Sequence, residues 1–390
     1  MFDPAIAILE VLAERPRASR AELVDATGLS PATVGRAVGR LRRQGVLREV
    51  ALESSGVGRP PRSVELEDHS AFVIGIDAGG RMLRAAIADL GGTLGARIAQ
   101  PVRHAHDHEA LLEDVITLIE ELARTVPTGA VQAVVAGISG IVDHADGRVL
   151  LSPDLPGLNG SHLAAALTGR LGLPVAIDND DLLAAIGEAS AGAAVGCRDV
   201  VFLSLGYGLG AGLIVDGRPV RGASHAAGAI AFLAPGRLED RASGRGIPLR
   251  YRELADAAGS PHATVWGDGV ADARAVFERA EAGDPIAVGI VAEVVGGIGD
   301  LAVNVAALLD PQIIVVGGGL ANAGSALFGP VEARLRQALP YPPRLVPSAL
   351  EDTAVLYGAT TLALALARRR VAGLDSSIRP ESERAALLLL

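Results

Sequence analysis

Phe72-Val-Ile-Gly-Ile-Asp77-Ala-Gly-Gly80 is an apolar run that ends in a tight turn, and Met82–Asp89 continues it as a second strand closed by Gly91-Gly92. The pattern returns in Val200-Val-Phe-Leu-Ser-Leu-Gly206-Tyr-Gly208-Leu-Gly210-Ala-Gly212-Leu-Ile-Val-Asp216-Gly217. Each copy offers an apolar strand, a glycine turn, another strand and an Asp with Gly close behind. Such a hairpin lets backbone N–H groups approach a phosphate, while its Asp can hold a metal or a water. Taken singly, a Gly-Gly turn also serves ordinary hairpins. The internal echo predicts a duplicated α/β architecture of two related lobes. A third glycine run, Ile313-Ile-Val-Val-Gly317-Gly318-Gly319, follows Asn304–Asp310 and ends a strand of the buried type.

The chain has 390 residues, enough for two or three cores at about 100–200 residues per domain. Apolar residues make up 49% and charged residues 21%, a globular composition. The single cysteine, Cys197, excludes a disulfide framework within the chain. Met1–Pro16 carries Asp3, Glu10 and Glu14 where a secretory signal needs positive charge. Ala354–Ala367 reads as the longest apolar stretch and falls short of the ~18 residues of a membrane span, so a cytoplasmic protein is expected. The net charge of −10 argues against a chain that coats nucleic acid over its whole surface. That charge is uneven, with +2 on Met1–Leu66 and −12 on the remainder. Every basic residue is Arg, so arginine alone carries no functional message here.

The first 66 residues read as a winged helix-turn-helix. Ala5, Ile6, Leu9 and Leu12 repeat at helical spacing up to Arg15-Pro16. Ser19-Arg-Ala-Glu22 has the capping-box spacing for a second helix that Gly28 closes. Ser30-Pro31 supplies an N-cap and an N1 proline for a third helix, Pro31–Gln44. On that helix Val34, Val38 and Leu41 would bury, while Thr33, Arg36, Arg40 and Arg43 would project, as a major-groove reading helix requires. Ser54–Arg62 reads as a wing whose Arg59 and Arg62 can reach phosphate or the minor groove. The plainer reading is a small protein-interaction module with a solvated Arg face. Agreement of caps, face and wing favours DNA.

From these residues the chain resembles a regulator of the ROK (repressor, open reading frame, kinase) family, in which a winged helix precedes a sugar-kinase-like domain of the actin/hexokinase, or ribonuclease H-like, type. Gly75–Gly80 resembles the family's first phosphate motif and Gly206–Gly212 its second. Gly137-Ile-Ser-Gly-Ile-Val-Asp143 and Ser152–Gly157 resemble the segment leading to the sugar pocket. Asp178-Asn-Asp180 with Ala184–Glu188 resembles the segment of the catalytic Asp, and Asn304–Gly319 the adenosine side. The implied layout is a DNA-binding domain over 1–66, a two-lobed body over 71–370 (about 71–183 plus the C-terminal helix, then about 184–350) and a tail over 371–390.

The resemblance makes Asp180 the vestige of the general base and Asn179 and Asp154 candidate ligand-binding residues. It makes Asp77, Gly79, Gly80, Gly206, Gly208, Gly210 and Gly317–Gly319 phosphate-loop-like. Asp178–Asp181 is equally a helix N-cap cluster. Departures from the family are several. Ala229 and Phe232 stand where a sugar-binding Glu and a His are usual, Arg81 replaces a Thr, Leu182 an Asn, and no Cys lies near Arg241–Gly246. Kinase activity, structural zinc and other cofactors are therefore not expected. His225 reads as a pocket or loop residue, His104–Glu109 as a loop before a helix, Pro340–Pro347 as a connector and Arg368–Arg370 as a helix C-terminus. The reading that results is a dimeric or tetrameric regulator, in the first instance a repressor, of carbohydrate-related genes. Its partners would be a double-stranded operator and a sugar-type effector, with no membrane. An active hexose kinase and a regulator without an effector are the alternatives.

Overall fold

Two serines set the start of the head's second and third helices. Ser19 accepts from the Glu22 N–H at 3.2 Å while Glu22 accepts from the Ser19 N–H at 2.6 Å, and Ser30 accepts from Thr33 N at 3.2 Å ahead of Pro31. The computed structural model describes residues 3–51, 62–67, 70–233, 238–259 and 273–373. The head comprises α1 (Pro4–Glu14), β1 (Arg17–Ser19), α2 (Arg20–Thr27), α3 (Pro31–Arg43), β2 (Leu47–Ala51) and β3 (Arg62–Leu66). Gly28 closes α2 in the left-handed conformation that a side chain disfavours. β3 lies between β1 and β2, antiparallel to both. The strand β1, too short to leave a periodic signal, was not expected. The wing tip, with Arg59, lies outside the described residues.

The first lobe of the body holds β4 (Phe72–Ala78), β5 (Met82–Asp89), β6 (Leu94–Pro101), α4 (His108–Ala123), β7 (Val131–Ile138), β8 (Ile141–Asp143), β9 (Arg148–Leu151), α5 (Leu163–Leu171), β10 (Val175–Asn179) and α6 (Asp180–Ala191). The second holds β11 (Val200–Leu205), β12 (Leu209–Val215), β13 (Arg218–Pro219), α7 (Leu238–Ala242), α8 (Gly246–Ala257), α9 (Ala273–Glu281), α10 (Pro285–Leu309), β14 (Ile313–Gly317), α11 (Ser325–Ala338) and β15 (Arg344–Pro347). The final helix, α12 (Ala354–Val371), returns to the first lobe and packs on β4, β7 and α6. The chain beyond residue 373 lies outside the described residues.

The two sheets share one plan. Their orders are β6-β5-β4-β7-β10 and β13-β12-β11-β14-β15. In each, the first three strands are an antiparallel meander and the last two join in parallel. The duplication read from the paired hairpins is thus present in topology. β15 corrects the expectation of a connector over 340–347: Arg344–Pro347 pairs with Ile313–Val316 as an edge strand, where proline is tolerated.

Sequence reading also passed over α10, a 25-residue helix with an 18-residue window of mean hydropathy 2.0, long and apolar enough to cross a membrane. In the fold it is the central helix of the second lobe, burying Ile290, Val294, Ile298 and Leu301 against α7, α8, α9 and α11. Each lobe has an apolar core on one side of its sheet. A third cluster runs unbroken from Ile8, Leu9, Val38 and Leu41 of the head through Ala359, Ala363 and Ala367 of α12 and Leu183 of α6 to Phe202 and Val315 of the second sheet. Head and body therefore share apolar packing, with α1 against α12.

Candidate functional site

On the head, α3 sorts its residues by face. Val34, Ala37, Val38 and Leu41 are buried, while Ser30, Arg36 and Arg43 are exposed and Thr33 is half-exposed. The Thr33 hydroxyl lies 2.9 Å from that of Ser30 and accepts from Arg36 Nη2 at 3.3 Å, so these three form one polar edge. Arg40, partly exposed, also braces the head. Its Nη2 donates to Asp3 Oδ1 at 2.9 Å, and the same oxygen accepts from Ala5 N at 2.7 Å to cap α1. Arg40 thus ties two helices together, because an acidic N-cap was within reach. Arg62 is likewise engaged: Glu49 accepts from it at 2.7 Å and also meets Arg20 at 3.0 Å and Arg42 at 2.9 Å. Hydrogen bonding from Arg62 and the surrounding guanidinium charge hold the Glu49 carboxyl below its usual range. Arg62 lies at the base of the wing, its exposed side chain paired with Glu49.

Between the two sheets lies a cavity of about 760 Å³. The chain ends of β4, β10, β11 and β14 converge on it. Asp77, Gly79, Gly80, Asp154, Asn179, Asp180, Gly206, Gly208, Gly210, Gly317, Gly318 and Gly319, scattered in sequence, all line it. Gly80 faces Asp154 so closely that a Cβ on it would sit 2.7 Å from the Asp154 Cβ. Asp154 accepts from Ser139 Oγ at 3.2 Å and lies 4.0 Å from Arg245.

Asn179 caps α6 and has no amide group left over. Its Oδ1 accepts from Leu182 N at 2.9 Å, and its Nδ2 donates to Gly140 O at 2.9 Å and Asp180 Oδ1 at 3.1 Å. Asn179 lines the cavity with both of its amide atoms engaged by the protein. Beneath it Asp178 is buried against Arg221, whose Nη2 donates to Oδ2 at 2.5 Å and whose Nε donates to Oδ2 at 3.1 Å and Oδ1 at 3.4 Å.

Three carboxylates crowd the head of α6. Burial pushes Asp77 up to about 6, with Arg84 at 3.0 Å pulling the other way. Burial also pushes Asp181 up to about 6, opposed by a hydrogen bond from Ser204. Asp180 stands well above the carboxylate range through burial and then the charges of Asp181 and Asp77. Asp181 was not singled out beforehand, yet its carboxylate occupies the space beside Gly210 where a Cβ would collide with it.

Arginines and an aromatic ring gather on the same cleft. The Arg81 and Arg245 guanidiniums lie 6.0 and 5.6 Å from the Tyr207 ring centre, bringing the two glycine turns together. Arg245 also approaches Glu239 at 3.6 Å. The wall at Ala226, Ala227, Ala229, Ala231 and Phe232 is apolar.

The structural zinc that the family resemblance implies does not fit the segment around Arg241–Gly246. Around Arg241–Gly246 the side chain turned inward is the Ser243 hydroxyl, which accepts from Gly246 N at 3.0 Å. Cys197 lies elsewhere, 3.3 Å from Arg344 Nη2. A hydroxyl and guanidiniums offer no tetrahedral thiolate or imidazole set.

Comparison with known proteins follows the same division. The description "ROK family" matches residues 73–366, and "Winged helix-turn-helix DNA-binding" matches residues 5–48. The chain is 25% identical to the xylose repressor of Caldicellulosiruptor bescii, over 92% of this chain and 94% of that one. It is 29% identical to a glucokinase of Streptomyces coelicolor, over 69% of this chain and 88% of that protein. Among solved structures, a ROK family transcriptional regulator homologous to the E. coli MLC protein shares the fold over 100% of this chain and 99% of its own, with a TM-score of 0.77 at 22% identity. The ROK family glucokinase of Streptomyces griseus, in complex with glucose and AMPPNP, covers 75% of this chain at 28% identity and a TM-score of 0.65, with 99% of its own chain matched.

Proposed function

Because the chain belongs to the ROK family and carries a winged helix-turn-helix ahead of that domain, we propose that it is a DNA-binding transcriptional regulator. In this reading it represses carbohydrate-related genes in the cytoplasm and has set aside kinase chemistry. The observation that carries the reading is the polar edge Ser30–Thr33–Arg36, continued by exposed Arg43, on a helix whose opposite face is buried. Thr33 and Arg36 are assigned to base edges and Arg43 to a phosphate. A homodimer or homotetramer would present two such helices to half-sites ~34 Å apart or a multiple of it.

The body serves as the sensor. A sugar or sugar derivative is the effector class that the repressor relatives' names support. Asp154 and Asp180 are its proposed polar contacts, and Arg81 and Arg245 flank the entrance. The ligand's effect has a short route outward: Asp180 opens α6, α6 packs on α12, and α12 packs on α1 of the head. A coupling of ~1–3 kcal/mol between the sites changes occupancy roughly 5–150-fold.

Phosphoryl transfer calls for a basic carboxylate and open phosphate loops. Burial and the charges of Asp181 and Asp77 raise the Asp180 carboxyl from its ordinary range, which favours its protonated form. Asp181 places an acidic group against the second glycine loop. Both features support a regulator over a kinase. The experiment is selection of DNA sequences by the purified chain, followed by binding of the selected site with and without candidate sugars. A coupled ADP-release assay over hexoses and N-acetylhexosamines runs beside it. Steady turnover that Asp180→Asn abolishes, with no sequence selected, overturns the proposal.

A further inference from the structure

Away from the carboxylates, two histidines 81 positions apart in sequence meet across the lobes. His144 follows β8 in the first lobe, and His225 lies in the loop after β13 in the second. Their Nδ1 atoms are 3.3 Å apart, with rings edge to face at 67°. Asp143 Oδ1 is 3.4 Å from His225 Nε2. One ligand atom from each of these three residues lies within 4.8 Å of the others, and all three residues are half-buried.

The Nδ1 pair has the spacing of a coordination-sphere edge, and Asp143, whose short contact is to His225 Nε2, brings a carboxylate oxygen within 4.8 Å of the same group. With Zn–N distances of ~2.0–2.1 Å, the edge of a tetrahedron is about 3.3–3.4 Å, the separation of the two Nδ1 atoms. A neutral imidazole pair gains one hydrogen bond from such an approach, whereas a cation uses both nitrogens at once. The carboxylate is already oriented: Asp143 Oδ1 accepts from Ala145 N at 3.1 Å and Asp146 N at 3.2 Å. His225 is held at φ 58°, a left-handed backbone uncommon for residues other than glycine. The nearest guanidinium, Arg221, is neutralised by Asp178 at 2.5 Å, so its charge does not bar a cation.

We propose that Asp143, His144 and His225 form a binding site for a divalent transition metal of the zinc class, which staples the β8–β9 hairpin of the first lobe to the loop of the second. Two imidazoles and one carboxylate leave a fourth position for water or another ligand, and His225 is also among the residues lining the central cavity. The donor set suits zinc, cobalt or nickel better than magnesium or calcium. This inference stands apart from the DNA-binding reading, since it concerns the body alone.

The test uses the full chain with zinc alone, then cobalt as a spectroscopic reporter. Equilibrium dialysis is expected to give one zinc per chain, and cobalt the visible absorption of a tetrahedral nitrogen–oxygen site. His144→Ala and His225→Asn each lower zinc affinity at least tenfold. Asn tolerates the left-handed backbone, so the second variant keeps the loop, and unchanged metal-free melting of both variants verifies the fold. His104→Ala, whose ring pairs with Asp114 at 2.9 Å, leaves zinc binding unaltered. Zinc binding equal in the wild type and in the chain lacking both His144 and His225 overturns the assignment. So does a wild-type chain that takes up no zinc.

Discussion

Gly358 of α12 is set directly over the backbone carbonyl of Leu183 in α6, so that a Cβ at position 358 would collide with that oxygen. Gly187 stands in the same relation to the carbonyl of Ala354. The two helices are therefore in backbone contact at two points one turn apart, and the α6–α12 pair has no side-chain cushion there. In a free helix Gly→Ala gains about 1 kcal/mol. Here Gly358→Ala is expected to lose about 1–3 kcal/mol through overpacking. The reversed sign, read from the urea midpoint at unchanged slope, is the check.

The head separates reading from bracing. Arg36→Ala is expected to weaken operator binding about 5–100-fold, a loss of ~1–3 kcal/mol for a base contact. Arg43→Ala should reduce affinity evenly across sequences and lower the salt slope by about 1. Arg40→Ala should act through the α1–α3 brace, lowering the melting temperature while leaving sequence preference intact. Fluorescence anisotropy over a salt series, on selected and scrambled sites, distinguishes the three.

Asp181 makes stability depend on pH in a stated direction. Its carboxyl is raised from 3.8 to about 6 in the fold, chiefly by burial. Folding therefore takes up a proton between those values. The stability it contributes is complete below about pH 4 and is lost as pH rises through 6. Asp181→Asn removes that loss, so the variant should be more stable at pH 7.5 by about 1–3 kcal/mol, solvent on the cavity side screening part of the effect. At pH 4 it should match the parent. Melts at both values decide it; an equal shift at each would point to packing instead.

Glu188 is wholly buried and holds the loop that follows β15. It accepts from the Ser348 hydroxyl, from Leu350 N at 3.1 Å and from Ala193 N at 2.6 Å. Glu188→Ala leaves these donors without a partner and should cost about 3 kcal/mol. Glu188→Gln keeps one acceptor and should cost less. Because Ser348 and Glu351 border the cavity, the alanine variant should also weaken any effector-induced rise in melting temperature.

Much of the architecture was legible because it is written locally. Ser19 with Glu22, and Ser30 with Pro31, mark helix starts within four residues, and the glycine turns at 79–80 and 206–210 mark both lobes. The cleft could be assembled only through the family resemblance, since its lining spans Asp77 to Val355. What remained hidden were pairings over long separations. Arg40 meets Asp3 from 37 positions away, and His144 meets His225 from 81. No periodicity encodes such partners. Asn179 shows the same limit: its type suits a sugar, while its amide also caps α6 and donates to Gly140 O and Asp180 Oδ1, which its residue type does not announce.

The unbroken apolar cluster from α3 to the second sheet bears on any attempt to graft promoter specificity. A reading head borrowed from another regulator would arrive without the surface that seats α1 on α12. To be obeyed by this sensor it must bring matching residues at Ala5, Ile8, Leu9 and Leu12, and its transplantable unit extends past the DNA-facing edge into the joint itself.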